Sequence, residues 1–142
     1  MTTTVGTVDP VEWKRPLPAP SPLTEPFWKA TREGRLVIQR CIRCGEYVWT
    51  PQLVCRTCLT ETLEWTPVSG RGAIYTFVVI HRAATPAFKA PYTIVVVQLD
   101  EGPHILSDMV DVDPADVRIG MPVEVAFENA GEIGFYHFRP RR

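Results

Sequence analysis

The sequence lacks three features that would each place it in a well-defined class. No apolar run approaches the ~18 residues needed to cross a bilayer, so no membrane-spanning segment is predicted. The 15 Lys and Arg residues are balanced by 16 Asp and Glu residues, and the net charge of −1 argues against a bulk-basic nucleic-acid binder. The first six residues hold neither a basic nor an apolar signal region, so we expect a cytoplasmic protein.

Motifs for autonomous catalysis are also missing. There is no Gly-x-Gly-x-x-Gly and no P-loop. The three histidines, His81, His104 and His137, are scattered and form no Ser/His/Asp or two-His-carboxylate pattern. We therefore name no catalytic residue and expect the isolated chain to show no turnover.

The composition divides the chain into three parts. Residues 1–23 are rich in proline and predicted to form an extended arm. Two alternatives stay open for this arm, a disordered leader or a segment that buries Trp13 and Leu17 on a neighbouring surface. Residues 24–68 are predicted to form a helix plus a cysteine ribbon, and residues 69–142 a β domain.

The helix is predicted between Thr24 and Gly34. Thr24 is a suitable N-cap, Pro26 is tolerated in the first turn, and Gly34 can end the helix. Phe27 and Ala30 recur at helical spacing with Thr31, which predicts a face packed on the core.

Apolar alternation after residue 69 predicts five strands. They are Ala73–Arg82, Tyr92–Leu99, His104–Val110, Val123–Phe127 and Ile133–Phe138. A short helical turn between the third and fourth strands begins at Pro114, with Asp113 as its cap and Gly120 as its end. Five strands with one short helix after the third are typical of the OB-fold, a small Greek-key barrel. The fold class is therefore mainly β: a short N-terminal helix, a rubredoxin-like zinc ribbon, then an OB-fold barrel.

All four cysteines lie in two Cys-x-x-Cys pairs. Cys41, Cys44, Cys55 and Cys58 can place four thiolates tetrahedrally around one ion. Without a secretory signal, a metal is favoured over disulfides. Zinc is the default ion and rubredoxin-type iron is the alternative. Four protein ligands leave no open position, so the site is predicted to be structural.

Several motifs in order along the chain resemble one family. They are Pro26-Phe27-Trp28, Gly34-Arg35-Leu36, Gln39-Arg40-Cys41, Cys44-Gly45, Cys55-x2-Cys58, Trp65, Ser69-Gly70-Arg71-Gly72, His81-Arg82, Pro86-Ala87-Phe88, Pro91-Tyr92, Glu101-Gly102-Pro103 and Ile119-Gly120-Met121-Pro122-Val123. Together they resemble the zinc-ribbon/OB-fold acyl-CoA accessory proteins, from about residue 15 to about residue 130.

The resemblance implies a non-catalytic accessory subunit that holds one structural Zn²⁺ per chain. Such proteins dock on a thiolase-like partner (a thiolase, an aldolase or an acyltransferase) and help to form its acyl-CoA site. The pathways implied are the degradation of steroid side chains or aromatic compounds. One alternative is an accessory subunit of a hot-dog-fold enoyl-CoA hydratase. A second is a single-stranded nucleic-acid binder that stacks bases on Trp65, Tyr75 and Phe77.

Two sets of side chains are candidates for contact with CoA or a partner. Residues 14–89 carry 11 Lys and Arg against 5 Asp and Glu, and arginine suits phosphate oxygens. The basic candidates are Lys29, Arg32, Arg35, Arg40, Arg43 and Arg56, for which a solvated basic face is the alternative. The second set is His81, Arg82, Phe88 and Tyr92, around a loop at 83–91 long enough to reach a ligand or partner. Phe88 folded back on the barrel is the alternative there.

Overall fold

The computed structural model describes residues 3–8, as backbone only, and residues 13–142. Within these residues the ordered elements are β1 (Thr3–Val8), α1 (Glu25–Arg32), β2 (Val37–Cys41), β3 (Tyr47–Val48), β4 (Leu63–Pro67), β5 (Arg71–Ile80), β6 (Tyr92–Leu99), β7 (His104–Asp108), β8 (Pro122–Ala130) and β9 (Ile133–Pro140). None of the described helices has the length and apolarity to cross a membrane.

Strands β5 to β9 form the predicted barrel. Neighbouring antiparallel pairs run β7-β6-β5-β8-β9. The ring closes where Met109, just after β7, forms a parallel bridge with Phe138 of β9, and the Val110 N–H donates to the Phe138 carbonyl at 2.8 Å. The fold class predicted from the sequence is confirmed, with a mostly β chain in which a helix and a cysteine ribbon precede an OB-fold.

The turn between β7 and β8 is shorter than predicted. Asp113 does cap it, since its carboxylate accepts from the Ala115 N–H at 2.9 Å. The 3-10 turn covers only Pro114–Asp116, however, and Gly120 does not end it. Gly120 instead donates its N–H to the Ile74 carbonyl of β5 at 2.8 Å, which ties this connection to the barrel.

The N-terminal segment contributes a strand that the sequence analysis did not predict. β1 pairs in parallel with the second half of β8, from Thr3 opposite Ala126 to Val8 opposite Ala130. Further along, Trp13 stacks on Phe135 with ring centroids 4.4 Å apart, whereas Leu17 is largely exposed. The described part of the predicted arm therefore lies against the outside of the barrel.

Helix α1 begins as predicted, but Thr24 does not cap it. Its side chain makes no hydrogen bond to the first turn of the helix. The Thr24 hydroxyl instead accepts from the Ser21 N–H at 2.9 Å, and the Ser21 hydroxyl accepts from the Thr24 N–H at 3.3 Å. The reciprocal bonds stabilise the turn at 21–24 rather than the first turn of α1. Gly34 follows the helix with a φ of +76°, a conformation that glycine adopts without steric cost.

Helix, ribbon and barrel share one core. Phe27 of α1 is buried among Trp28, Trp49, Trp65 and Tyr136, with centroid distances between 5.1 and 6.2 Å. Trp49 and Trp65 come from the ribbon and Tyr136 comes from β9, so this aromatic cluster fixes the ribbon to the barrel. Aromatic pairs of this kind stabilise by about 0.5–1.5 kcal/mol each beyond their buried area.

Candidate metal centre and groove

The ribbon sheet positions the four cysteines. Strand β2 lies between β3 and β4, and Cys41 is the last residue of β2. The chain then turns through Cys44 into β3, with the Gly45 N–H donating to the Cys41 carbonyl at 2.9 Å. A similar turn follows Cys55, where the Leu59 N–H donates to the Cys55 carbonyl at 2.7 Å. Two similar turns thus face each other.

The sulfur positions fit a tetrahedral ion. All four Sγ atoms lie within 4.8 Å of one another. The Cys41–Cys58 distance is 3.8 Å and the Cys44–Cys55 distance is 3.7 Å. A tetrahedron with metal–sulfur bonds of about 2.3 Å has edges of about 3.8 Å. The cysteines therefore fit a single four-coordinate ion, with no position left for a substrate.

The surroundings of the sulfurs favour thiolate in some positions and thiol in others. The Cys44 backbone N–H and the Thr62 hydroxyl, 3.1 Å from Cys41 Sγ, lower the pKa of Cys41 to about 6. Burial, with the neighbouring cysteines, raises the pKa of Cys58 to about 12. Four thiolates this close repel one another, so a cation is needed to hold all four deprotonated.

A polar bridge joins the two turns. Glu46 accepts from the Arg56 guanidinium at 2.8 Å and also from the Thr57 hydroxyl. These contacts and the pull of Arg56 lower the pKa of the Glu46 carboxyl, with the Thr57 bond as the largest cause. Glu46 follows the first cysteine pair and Arg56 lies inside the second, so the bridge supports the cysteine geometry.

The six basic candidates fall on two parts of the molecule. Lys29 and Arg32 of α1 line a cavity of about 270 Å³ with Leu17 and Ile133, and Arg35 pairs with Glu33 at 2.6 Å. The others lie on the ribbon, where Arg40 packs 5.0 Å over the Tyr47 ring and Arg56 pairs with Glu46. Arg43 is exposed. Their contact with CoA stays a prediction.

A groove of about 670 Å³ lies beside the loop at 83–91. Phe88 and Tyr92 stand together on one wall, with ring centroids 5.8 Å apart. Trp28 of α1 and Phe135 and Tyr136 of β9 also line it. His81 and Arg82 are exposed and do not line it. Of the four loop candidates, the structure therefore brings two together in one groove, which three further aromatic side chains also line.

The floor of the groove holds a cluster that the sequence analysis missed. His137 is buried, with its Nδ1 2.6 Å from Asp108 and its Nε2 3.1 Å from Glu128. Burial alone would lower the pKa of His137, but the bond to Asp108 and the charges of both carboxylates outweigh it and raise the pKa. Arg15 lies 3.7 Å from Glu128. Asp108, Glu128 and His137 come from β7, β8 and β9 respectively. A single sequence carries no signal that these three residues lie together.

Comparison with known proteins finds a matching family model for the ribbon and another for the barrel. Two family models match, the ChsH2 rubredoxin-like zinc ribbon domain at residues 28–64 and the ChsH2 C-terminal OB-fold domain at residues 65–128. A solved structure described as "Ltp2-ChsH2(DUF35) aldolase" superposes with a TM-score of 0.80 at 32% identity, over 87% of this chain and 98% of that chain.

Two curated relatives differ in how much of their own length this chain covers. A "DUF35 domain-containing scaffold protein" of Methanocaldococcus jannaschii is 37% identical over 75% of this chain and 78% of its own. A "Probable enoyl-CoA hydratase alpha subunit" of Thermomonospora curvata is 34% identical over 80% of this chain, which spans only 36% of that subunit. The resemblance expected from the motifs is confirmed, and the chain belongs to the ChsH2-type (DUF35) family of zinc-ribbon/OB-fold proteins.

Proposed function

We propose that this chain is a non-catalytic accessory subunit of an acyl-CoA enzyme. It docks on a thiolase-like catalytic subunit in a hetero-oligomer and contributes a wall to the acyl-CoA site, while bond cleavage or formation takes place on the partner. The setting is cytoplasmic, in degradation of steroid side chains or aromatic compounds. The observation that carries the proposal is the match to nearly the whole length of the ChsH2 chain in a structure described as an aldolase.

The chemistry of the described residues agrees with a supporting role. All four thiols converge on one centre that has no open coordination position. His137 has both ring nitrogens held by carboxylates, so it is a poor general base. The groove offers apolar contact and shape, which are what an accessory subunit can add to a partner's active site.

One Zn²⁺ per chain completes the ribbon in this proposal. Cys41, Cys44, Cys55 and Cys58 would hold it, and the ion would supply cross-linking of the two turns rather than Lewis-acid catalysis. The ribbon sheet is too small to stabilise itself through burial alone. With the ion bound, Trp49 and Trp65 are held against Phe27, and the ribbon keeps its place on the barrel.

The groove is the part of the surface proposed to face acyl-CoA. Phe88 and Tyr92 provide the aromatic wall, and Arg15 and Lys89 also line the groove. An apolar acyl chain or the pantetheine arm suits the wall, and the cationic side chains suit the phosphates of CoA. Lys29 and Arg32 lie on the same helix as Trp28, which lines the groove, and extend the cationic surface along α1.

A hot-dog-fold hydratase is the second candidate partner, favoured by the name of the Thermomonospora relative. Nucleic-acid binding has less support, because the three aromatic residues proposed for stacking do not form one exposed platform. Trp65 packs on Phe27 and Phe77 is half-buried, so of these three residues only Tyr75, whose ring lies 4.4 Å from that of His104, is exposed.

Co-expression with defined enzymes tests the proposal. The tagged chain is produced together with each thiolase-fold and each hot-dog-fold acyl-CoA enzyme of the same genome. We expect one thiolase-fold enzyme to co-purify at fixed stoichiometry and to gain activity or stability in the complex, while the isolated chain shows no turnover. Binding to a hydratase alone would replace the partner assignment. Binding to neither class, or turnover by the isolated chain, would overturn the proposal.

A further inference from the structure

Strand β6 is apolar on both of its faces, although the described part of the chain covers only one of them. Every second residue from Thr93 to Leu99 is buried in the barrel. Ile94 and Val96 alternate with these residues and point outward, where both are partly exposed. A strand with one face in water normally alternates apolar and polar residues, whereas a continuous apolar run is typical of a strand covered on both faces. The sequence of β6 therefore indicates a second covering layer.

The sheet register shows that the outward side of β6 is the middle of a contiguous surface. Val96 lies directly opposite Leu106 of β7 on one side and Thr76 of β5 on the other. Ile94 lies directly opposite Val78 of β5. Residues paired in this way point to the same side of a sheet, with Cβ atoms about 4.5–5.5 Å apart. We call this surface the outer sheet face, and it consists of Tyr75, Thr76, Val78, Ile80, Tyr92, Ile94, Val96, Gln98, His104 and Leu106.

The outer sheet face has an apolar middle and an uncharged polar end. Val78 is 52% exposed and Leu106 is 54% exposed, one on each side of β6. At the polar end, the rings of Tyr75 and His104 lie 4.4 Å apart. The face contains no Lys, Arg, Asp or Glu. Exposed apolar surface with few charged residues is typical of the centre of a protein–protein interface.

Charged residues of both signs lie at the edges of the outer sheet face. Asp108 lies at the end that meets the groove, with its carboxylate 2.6 Å from His137. Glu101 lies in the turn between β6 and β7, and Arg82 follows the end of β5. Lys89 lies on the loop beside the groove. Because the edges carry both signs, they favour neither an acidic nor a basic partner, and apolar contact remains the basis of recognition.

The outer sheet face continues into the groove. Tyr92, Ile94 and Leu106 belong to the face and also line the groove. A protein that covers the middle of the face therefore also borders the groove, which the proposed function assigns to acyl-CoA. A second copy of this chain in that place would bring no catalytic group to the groove and would keep the catalytic subunit away from it. The catalytic subunit is therefore the occupant that fits this surface.

The helix and the ribbon support the outer sheet face through Tyr136. The Tyr136 hydroxyl donates to the Leu106 carbonyl at 2.7 Å. The Tyr136 ring lies 5.5 Å from that of Phe27 and 6.2 Å from that of Trp49. Leu106 is thereby tied to the aromatic cluster that holds the ribbon on the barrel. Release of the ribbon should therefore disturb the face, although none of its residues comes from the ribbon.

We infer that the outer sheet face is the surface on which the catalytic subunit docks, through an apolar area of its own that lacks charged residues at its centre. The inference rests on the proposed function and adds to it the residues that make the contact. Val96 lies at the centre of the face, Val78 and Leu106 flank it, and Ile94 borders the groove. Docking here brings the catalytic groups of the partner to the open side of the groove.

The test measures the affinity of the full-length chain for the catalytic enzyme that co-purifies with it. Val78→Lys and Thr76→Lys place a charge on the face at positions that are already exposed, so zinc content and melting temperature should stay unchanged. Each should weaken the affinity about tenfold or more, because docking would bury an unpaired charge. Leu53→Lys is the matched control, since Leu53 is 72% exposed on the ribbon, outside the face. It should leave the affinity within about twofold.

Salt dependence and self-association test the choice of occupant. The affinity of the wild type should change less than about threefold between low and high salt, since the contact is apolar. A steep loss of affinity with salt would overturn the uncharged centre of the partner surface. Equal affinity of wild type, Val78→Lys and Thr76→Lys would overturn the docking face while leaving the proposed function intact.

Sedimentation of the wild-type chain alone should show a monomer. A homodimer that Val78→Lys dissociates would assign the face to a second copy and overturn the inference. Failure of the wild type to bind either enzyme class would instead overturn the proposed function itself.

Discussion

The imidazole of His137 on β9 lies 2.6 Å from the Asp108 carboxylate at the end of β7, across the seam that closes the barrel. Its other nitrogen lies 3.1 Å from Glu128 on β8. Both nitrogens can donate only when the ring is protonated, so the two carboxylates favour the protonated form of this buried imidazole and raise its pKa. With Arg15 beside Glu128, the cluster joins three strands and the N-terminal segment.

The first prediction follows from the raised pKa of His137. A histidine with a folded-state pKa above its unfolded value of about 6.5 stabilises fully below that value and loses the effect as the pH rises through its folded-state pKa. His137→Gln should therefore cost about 1–3 kcal/mol of unfolding free energy near pH 6, and less near pH 9. Urea denaturation of both proteins across this range measures the difference. A cost that grows with pH would contradict the protonated state.

The second prediction concerns the metal. Cys44→Ser removes one of four ligands, and we expect loss of bound zinc, measured by elemental analysis, together with release of the ribbon from the barrel. Trp49 and Trp65 then lose their packing on Phe27, so tryptophan fluorescence should shift to the red. The complex with the catalytic partner should be lost as well.

A control substitution next to Cys44 distinguishes loss of a metal ligand from a change of the neighbouring surface. Arg43→Ala lies next to Cys44 but supplies no metal ligand, so it should retain zinc and the fluorescence of the wild type. Iron in place of zinc in the purified protein, visible as a red colour, would contradict the metal assignment. Normal assembly and full activity of Cys44→Ser would contradict the structural role of the ribbon.

The third prediction concerns the contact between α1 and the barrel. A Cβ on Gly134 of β9 would lie 2.5 Å from the Arg32 nitrogen and the Thr31 carbonyl carbon. Backbone cannot move aside as a flexible side chain can, so Gly134→Ala should destabilise by about 1–3 kcal/mol. Gly102→Ala is a control for backbone strain alone, because nothing lies within 4 Å of its Cβ although its φ is +114°. The control should cost about 1 kcal/mol. Equal denaturation midpoints for Gly134→Ala and wild type would show that the helix can shift.

Features that depend on residues close together in the chain could be predicted from the sequence. The five barrel strands follow from apolar alternation, and the cysteine centre follows from doubled Cys-x-x-Cys spacing. The Asp113 cap was predicted for the same reason, because capping depends on adjacent residues. Thr24 shows the limit of local reasoning, since Ser21 competes for the same hydroxyl.

Features that depend on pairing between distant segments could not be predicted. Strand β1 needs the free edge of β8, more than 100 positions away, and one sequence does not indicate that edge. The His137 cluster needs β7, β8 and β9 in their final register.

The last prediction concerns the groove wall. Phe88 and Tyr92 stack at 5.8 Å beside an open groove, so removing the Phe88 ring takes away contact area without opening the barrel core. In the complex with the catalytic subunit, Phe88→Ala should lower kcat/KM for acyl-CoA about tenfold, mainly through KM. Its melting temperature should change little. Leu53→Ala is the control, because Leu53 is exposed on the ribbon and does not line the groove. An unchanged KM for Phe88→Ala would place the acyl-CoA site elsewhere, and an equal loss in both variants would indicate a general loss of assembly.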